Sequence, residues 1–131
     1  MNYLIDTDIL IYSMKGREKV IKKFKENRNY PKSMSVITYG ELIYGAKKSK
    51  YVEKNLAHVR RLLEVFPIID ITPVIMETFG EIKTKLQKAG TIIADMDLLI
   101  GSTALAHNLV LVTNNVNHFE KIEGLEIENW N

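Results

Sequence analysis

The first residues that could do chemistry stand in Leu4-Ile5-Asp6-Thr7-Asp8-Ile9-Leu10, where two carboxylates lie one residue apart between apolar runs. An aspartate at a strand-to-helix junction makes a good helix N-cap, because its side-chain oxygen accepts an orphan backbone N–H. That role accounts for Asp6 or for Asp8 and leaves the other charge without a structural reason. Further oxygen-bearing groups recur along the chain. Glu41 follows Thr38 at the T-x-x-E spacing of a capping box, in which the glutamate reaches back to the N-cap amide. Asp95 and Asp97 precede a helical stretch in which Gly101, Ser102, Ala104 and Ala106 are small. One of the two is expected to cap that helix, and the small residues should let it lie close to a sheet. Thr113, Asn114 and Asn115 close the apolar run that begins at Leu109, although asparagine there also suits a plain turn.

Three or more carboxylates gathered at one place repel one another, which raises their pKa values and costs stability. A bound divalent cation removes that cost. The chain has no cysteine, and its three histidines, His58, His107 and His118, are scattered. Oxygen ligands alone suit Mg²⁺ or Mn²⁺. His118-Phe119 reads as packing and surface, and a histidine acid–base nuclease is not expected.

The elements that must position these groups follow from periodicity. Tyr3–Ile5 reads as a short buried strand, Ile9–Met14 and Glu18–Asn27 as helices broken near Gly16, and Ser33–Ile37 as a second strand. Helices are expected over Tyr39–Lys48 and Val52–Val65, the latter ended by Pro67. A short strand at Ile68–Ile71 precedes a helix that opens on Pro73, runs to about Lys88 and stops at Gly90. Asp97–His107 reads as a helix, Leu109–Thr113 as a strand and Leu125–Ile127 as a last edge strand. Strands alternating with helices predict an α/β domain with a mainly parallel sheet. Ligands of such sheets gather outside the carboxyl ends of the strands. Asp6, Glu41, Asp97 and the 113–115 turn are all expected on that rim.

The 131 residues, 46% of them hydrophobic, are enough for one core and are read as one domain over 1–131. No apolar stretch approaches the ~18 residues of a membrane span. The strand-like start has no cationic region or cleavage site, so no signal peptide and no membrane association are expected. The absence of cysteine excludes disulfides, thiolate zinc sites and a cysteine nucleophile. It suits a reducing, cytoplasmic location. The net charge of +2 conceals an asymmetry: residues 15–61 hold fourteen lysines and arginines against four glutamates, a net +10, so the rest carries −8. A basic segment of this kind is the footprint of a phosphate-backbone binder. Amphipathic helices that solvate their outer faces with lysine would look the same.

Four stretches, LIDTDILIYSMKG, SVITYGELIYGAKKS, IADMDLLIGSTALAHNLVLVTNNVNHF and GLEIENW, resemble in order and spacing the PIN-domain family, and within it the VapC-type toxins of type II toxin–antitoxin modules. The likeness covers essentially the whole chain. It implies a PIN-like α/β/α sandwich around a mainly parallel sheet, an Mg²⁺-dependent endoribonuclease, a homodimer, and a cognate antitoxin that joins it in a larger complex. Residue by residue, the family's acidic set falls on Asp6, Glu41 and Asp97, with Asp6 and Asp97 holding the ion and Glu41 ligating it or orienting water. The family's fourth, often acidic, position falls on Asn115, a departure. Thr7, Asp8, Asp95 and Thr113 are expected as supporting groups around this set, Asp8 chiefly as a cap and Asp95 as an extra charge.

Two other functions fit part of the pattern. Asp6-Thr7-Asp8 after an apolar strand also resembles a haloacid-dehalogenase-like phosphotransferase, but Leu10 stands where that family wants Thr or Val, and no lysine motif precedes Asp95. A catalytically impaired PIN-fold RNA-binding module would be compatible with Asn115. A phosphate-receiver domain needs a lysine after the last core strand, where Thr113-Asn114-Asn115 supplies none.

Overall fold

In the computed structural model, which describes residues 2–131, Tyr3–Ile5 (β1) is the middle strand of a five-stranded sheet. The others are Lys32–Ser35 (β2), Ile68–Ile69 (β3), Val110–Val112 (β4) and Ile127–Glu128 (β5). Their order is β3-β2-β1-β4-β5, and every pairing is parallel. Tyr3 is in register with Lys32 on one side and Val110 on the other, and Ile5 lies opposite Val112. Successive side chains of a strand point to opposite faces. Tyr3 and Ile5 therefore enter one apolar cluster, with Val110 and Val112, while Leu4 and Leu111 enter another. Both faces are covered, which is why these strands are apolar without alternation.

The covering elements are Thr7–Met14 (α1), Glu18–Glu26 (α2), Val36–Lys47 (α3), Val52–Val65 (α4), Pro73–Lys88 (α5), Asp95–Ala106 (α6) and the single turn Val116–Phe119 (α7). The result is a three-layer α/β/α sandwich. Trp130 closes the first cluster, packed edge-on to Tyr3 and Phe24 with ring centroids 5.1 Å away in each case. In α6, Gly101, Ser102 and Ala104 are buried as expected. A Cβ on Gly101 would stand 2.6 Å from Ile122 Cδ1, so the missing side chain sets how closely α6 approaches the Phe119–Ile122 segment. Among the described residues no helix is long and apolar enough to cross a membrane.

Several boundaries differ from expectation. The second strand ends at Ser35, not Ile37, and α3 starts at Val36, not Tyr39. The β-branched Val36, Ile37 and Thr38 favour strand by local preference. Ser35 overrides them by capping the helix, its Oγ accepting from Ile37 N at 3.1 Å. Thr38 is thus a buried residue of the first turn, and Thr38–Glu41 is not a capping box. Helix α6 starts two residues early, with Ala94 at the N-cap and no side-chain cap. Asp95 and Asp97 lie inside its first turn, where negative charge meets the positive end of the helix dipole. The last strand is displaced to Ile127–Glu128, after a turn at Gly124, whose φ is +84°.

The buried Ser35 hydroxyl supplies the side-chain bond that caps the start of α3. Ser35→Ala is expected to cost about 1 kcal/mol in urea-induced unfolding, whereas Thr38→Ser, which removes no cap, should cost less.

Candidate active site

Parallel pairing puts the carboxyl ends of all five strands on one side, and the side chains that follow them meet there. Asp6 follows β1, and its backbone N–H donates to Val112 O at 2.9 Å, which ties it to the end of β4. Asp6 is the cap of α1: Oδ1 accepts from Thr7 N at 2.8 Å. Its other oxygen, Oδ2, accepts from Thr113 Oγ1 at 2.7 Å. The carboxyl group is almost wholly buried, with the residue 6% exposed. Asp8, expected chiefly as a cap, lies instead in the first turn of α1, where it accepts from Ile9 N at 2.7 Å and from Asn114 N at 3.1 Å and is hydrogen-bonded to Asp6. It braces the turn after β4 against α1.

Glu41 lies in the second turn of α3. Its Oε1 accepts from Thr7 Oγ1 at 2.6 Å, the short distance of a charge-assisted bond. Thr7 Oγ1 also stands 3.1 Å from Thr38 Oγ1, so Thr7 joins α1 to α3. Asp97 reaches the rim from the first turn of α6, and its Oδ2 lies 3.0 Å from His118 Nδ1. Asn115 closes the circuit, its N–H donating to Thr113 Oγ1 at 3.0 Å and its Nδ2 lying 3.0 Å from His118 Nδ1. One continuous polar chain therefore runs Glu41, Thr7, Asp6, Thr113, Asn115, His118, Asp97.

Asp95 lies apart from this chain. Its carboxylate is exposed and bound to Lys83 of α5 at 2.9 Å. His118 is the member that periodicity and motif did not reveal. The available signal was its position, three residues after Asn115 in the turn that follows a core strand, on the short helix whose next residue, Phe119, is fully buried.

The electrostatics are those of crowded carboxylates. Burial, then the charge of Asp8, and to a smaller extent that of Asp97, push the Asp6 carboxyl up to about 7, against the lowering effect of Thr113 and the Thr7 N–H. Asp8 is raised as well, mainly by burial, while the Asn114 and Ile9 N–H groups oppose the rise. Among the described residues no lysine or arginine pairs with Asp6, Asp8 or Asp97. The donor set is anionic oxygen, which fits a hard divalent cation. Among the described residues, however, no three carboxylate or imidazole groups stand close enough in this arrangement to share one ion. Asp97 is turned to His118 and Glu41 to Thr7. Asp6, Asp8, Asp97 and Glu41 are the side chains whose oxygens would hold an ion.

A parallel α/β/α sandwich that gathers chain-distant acids at the carboxyl ends of its strands is the arrangement the four sequence stretches implied. The PIN domain family model matches residues 3–125, and the chain belongs to that family. Its relatives narrow the group. It is 38% identical over 131 residues to Ribonuclease VapC2 of Haemophilus influenzae, covering 99% of this chain and 98% of that one. It is 31% identical to the tRNA(fMet)-specific endonuclease VapC of Shigella flexneri, again over 99% and 98% of the two chains. Its fold superposes with a TM-score of 0.93 on a chain in the crystal structure of VapBC2 from Rickettsia felis bound to a DNA fragment from their promoter, at 36% identity over the full length of both. Family membership sets aside the phosphotransferase and receiver readings.

The raised Asp6 has a thermodynamic consequence whose sign is opposite to that of a paired carboxylate. Between its unfolded value, 3.8, and its folded value, about 7, the folded state binds the extra proton. Stability therefore falls as pH rises through that window and stays low above it. In the absence of divalent ions, Asp6→Asn should raise the unfolding midpoint by several degrees at pH 8. The gain should shrink towards zero as the pH approaches 4, which thermal unfolding monitored by circular dichroism will follow.

Proposed function

We propose that this chain is the ribonuclease toxin of a two-gene toxin–antitoxin module and that it hydrolyses RNA phosphodiester bonds with Mg²⁺, for which Mn²⁺ can substitute. The observation that carries this reading is the meeting of Asp6, Glu41 and Asp97, from α1, α3 and α6, on one rim of the sheet in a chain 38% identical to Ribonuclease VapC2. Asp6 and Asp97 hold the ion, and Glu41 either ligates it or orients water. When bound, the ion supplies positive charge against the phosphoryl oxygens as negative charge builds on them.

The protein's own groups do the rest. Thr7 N–H and Thr113 Oγ1 fix both oxygens of Asp6, so its position is set before substrate arrives. Thr7 Oγ1 engages only Oε1 of Glu41, which leaves Oε2 to accept a proton from the attacking water. Water adds to phosphorus as the P–O ester bond breaks, Glu41 takes the proton of the attacking water and the departing oxygen takes one from solvent, so no ribose hydroxyl need take part. The cationic side chains of residues 15–61 are exposed, apart from Lys32. They hold the RNA backbone by charge. Transfer RNA is the first substrate to test, because the Shigella flexneri relative is named for it.

An antitoxin partner fits the same rim. A groove of about 360 Å³ between α1, α3 and α4 is floored by Ile11, Leu42, Ala46 and Val59 and ends at Glu41. A partner tail lying in it with apolar side chains would deliver an arginine or lysine to the acids, where charge-assisted hydrogen bonds would replace the ion. Leu63 and Val65 on α4, and Val74 and Met76 on α5, are exposed apolar side chains that support a homodimer through those helices.

The purified chain is expected to cleave tRNA with Mg²⁺ and to lose activity in EDTA. Asp97→Asn and Glu41→Gln should each lower the rate by at least about a hundredfold. Glu41→Gln should leave the melting temperature nearly unchanged, since an amide oxygen can still accept from Thr7. Full activity in EDTA would refute the metal requirement. Full activity of the complex purified with the neighbouring gene product would refute the blocking role of the antitoxin.

A further inference from the structure

The imidazole of His118 has no place in the acidic set, yet among the described residues it is the group bonded to the Asp97 carboxylate. Its Nδ1 lies 3.0 Å from Asp97 Oδ2, and both side chains are about seven-tenths buried. A carboxylate only accepts, so Nδ1 carries the proton and donates it to Asp97. A Nδ1 that donates its proton to Asp97 has no lone pair for Asn115 Nδ2, 3.0 Å away, so the amide bonds to that nitrogen only if it is turned to present its oxygen to a shared proton. The imidazole itself is held by the chain rather than by chance. It stands on the one-turn helix α7, between Asn115, whose N–H is tied to Thr113, and Phe119, which is fully buried beneath α6. The His118 ring also meets the Phe119 ring edge-on, with centroids 6.2 Å apart.

Asp97 otherwise has little to hold it. It sits in the first turn of α6 on a helix without a side-chain cap. Asp6, by contrast, has a donor on each oxygen. A carboxylate that is to bind an ion needs a partner that sets its rotamer while leaving an oxygen available. His118 supplies that partner at Oδ2, and Oδ1 remains for the ion.

We infer that His118 is a positioning residue for Asp97: through Nδ1 it orients the carboxylate that receives the divalent ion, and it is not itself a ligand. This rests on the metal-dependent reading above. It requires only the Nδ1 proton, which the imidazole carries in one neutral tautomer and in its charged form alike. It also explains why an asparagine can occupy position 115. Asn115 supports the group that supports Asp97, and it need not bear a charge of its own.

The test is Mn²⁺ binding to the full-length, isolated chain, followed by electron paramagnetic resonance of the free ion, with Asp97→Asn as reference. His118→Ala should weaken Mn²⁺ binding by roughly 10–100-fold, the usual effect of losing a supporting hydrogen bond to a ligand. His118→Asn places an amide N–H near the position of Nδ1 and should restore affinity to within about threefold of the native chain. Melting temperatures measured alongside should be unchanged, because the ring is partly exposed and fills no core space. Native affinity in His118→Ala would overturn the inference. So would equal weakening in His118→Ala and His118→Asn, which would make the imidazole a ligand. A native chain that binds no Mn²⁺, or an Asp97→Asn variant that binds as well as native, would overturn the metal reading itself and this inference with it.

Discussion

The structure turns on one arrangement: a carboxyl group buried at the end of the central strand, with a hydrogen-bond donor on each oxygen and other acids beside it. Asp6 belongs at once to the sheet, through its N–H to Val112 O, to α1 as its cap, and to the turn after β4 through Thr113. Hydrogen bonds from Thr7 N–H and Thr113 Oγ1 stabilise the charged form. Burial and the neighbouring charges oppose it more strongly, and the pKa rises to about 7. Carboxyl groups perturbed in this way cluster at functional sites.

The parallel sheet explains why residues so far apart in the chain reach that point. Each strand runs in the same direction, so each strand-to-helix junction opens on the same edge. Residues 6–8, 41 and 113–118 come from three such junctions, Asp97 comes from the start of α6 after the α5–α6 connection, and all meet on one polar rim. Three threonine or serine hydroxyls, Thr7, Thr113 and Ser35, do the local work there: one links Glu41 to α1, one holds Asp6, and one starts the helix that carries Glu41. The groove between α1, α3 and α4 is lined by Glu41 and by Lys15 and Lys54 of the cationic segment 15–61. Exposed lysines beside the rim are the charge pattern expected of a surface that draws in a polyanion.

Much of this was legible in the residues. Apolar triplets such as Tyr3-Leu4-Ile5 and Val110-Leu111-Val112 admit only a strand covered on both faces, and Pro73 marked the start of α5 correctly. What misled was local chemistry with two meanings. Thr38 and Glu41 have the spacing of a capping box, but Ser35 claims the cap and sets Glu41 one turn deeper, where it answers Thr7 instead. Asp95 and Asp97 look equivalent in sequence. Only the packing of α5 against α6 decides that Asp95 pairs with Lys83 in solvent while Asp97 faces the rim. His118 was invisible because its role depends on a one-turn helix of four residues, too short to leave a periodic signal.

The proposed metal requirement means that a divalent ion takes the place of the proton that crowding forces on Asp6. Calorimetric titration of Mg²⁺ into the native chain at pH 7, repeated in buffers of different ionisation enthalpy, measures that exchange directly. With Asp6 at about 7, binding should release about half a proton at pH 7, more at pH 6 and almost none at pH 9. Binding without proton release at any of these pH values, or no binding at all, would contradict it.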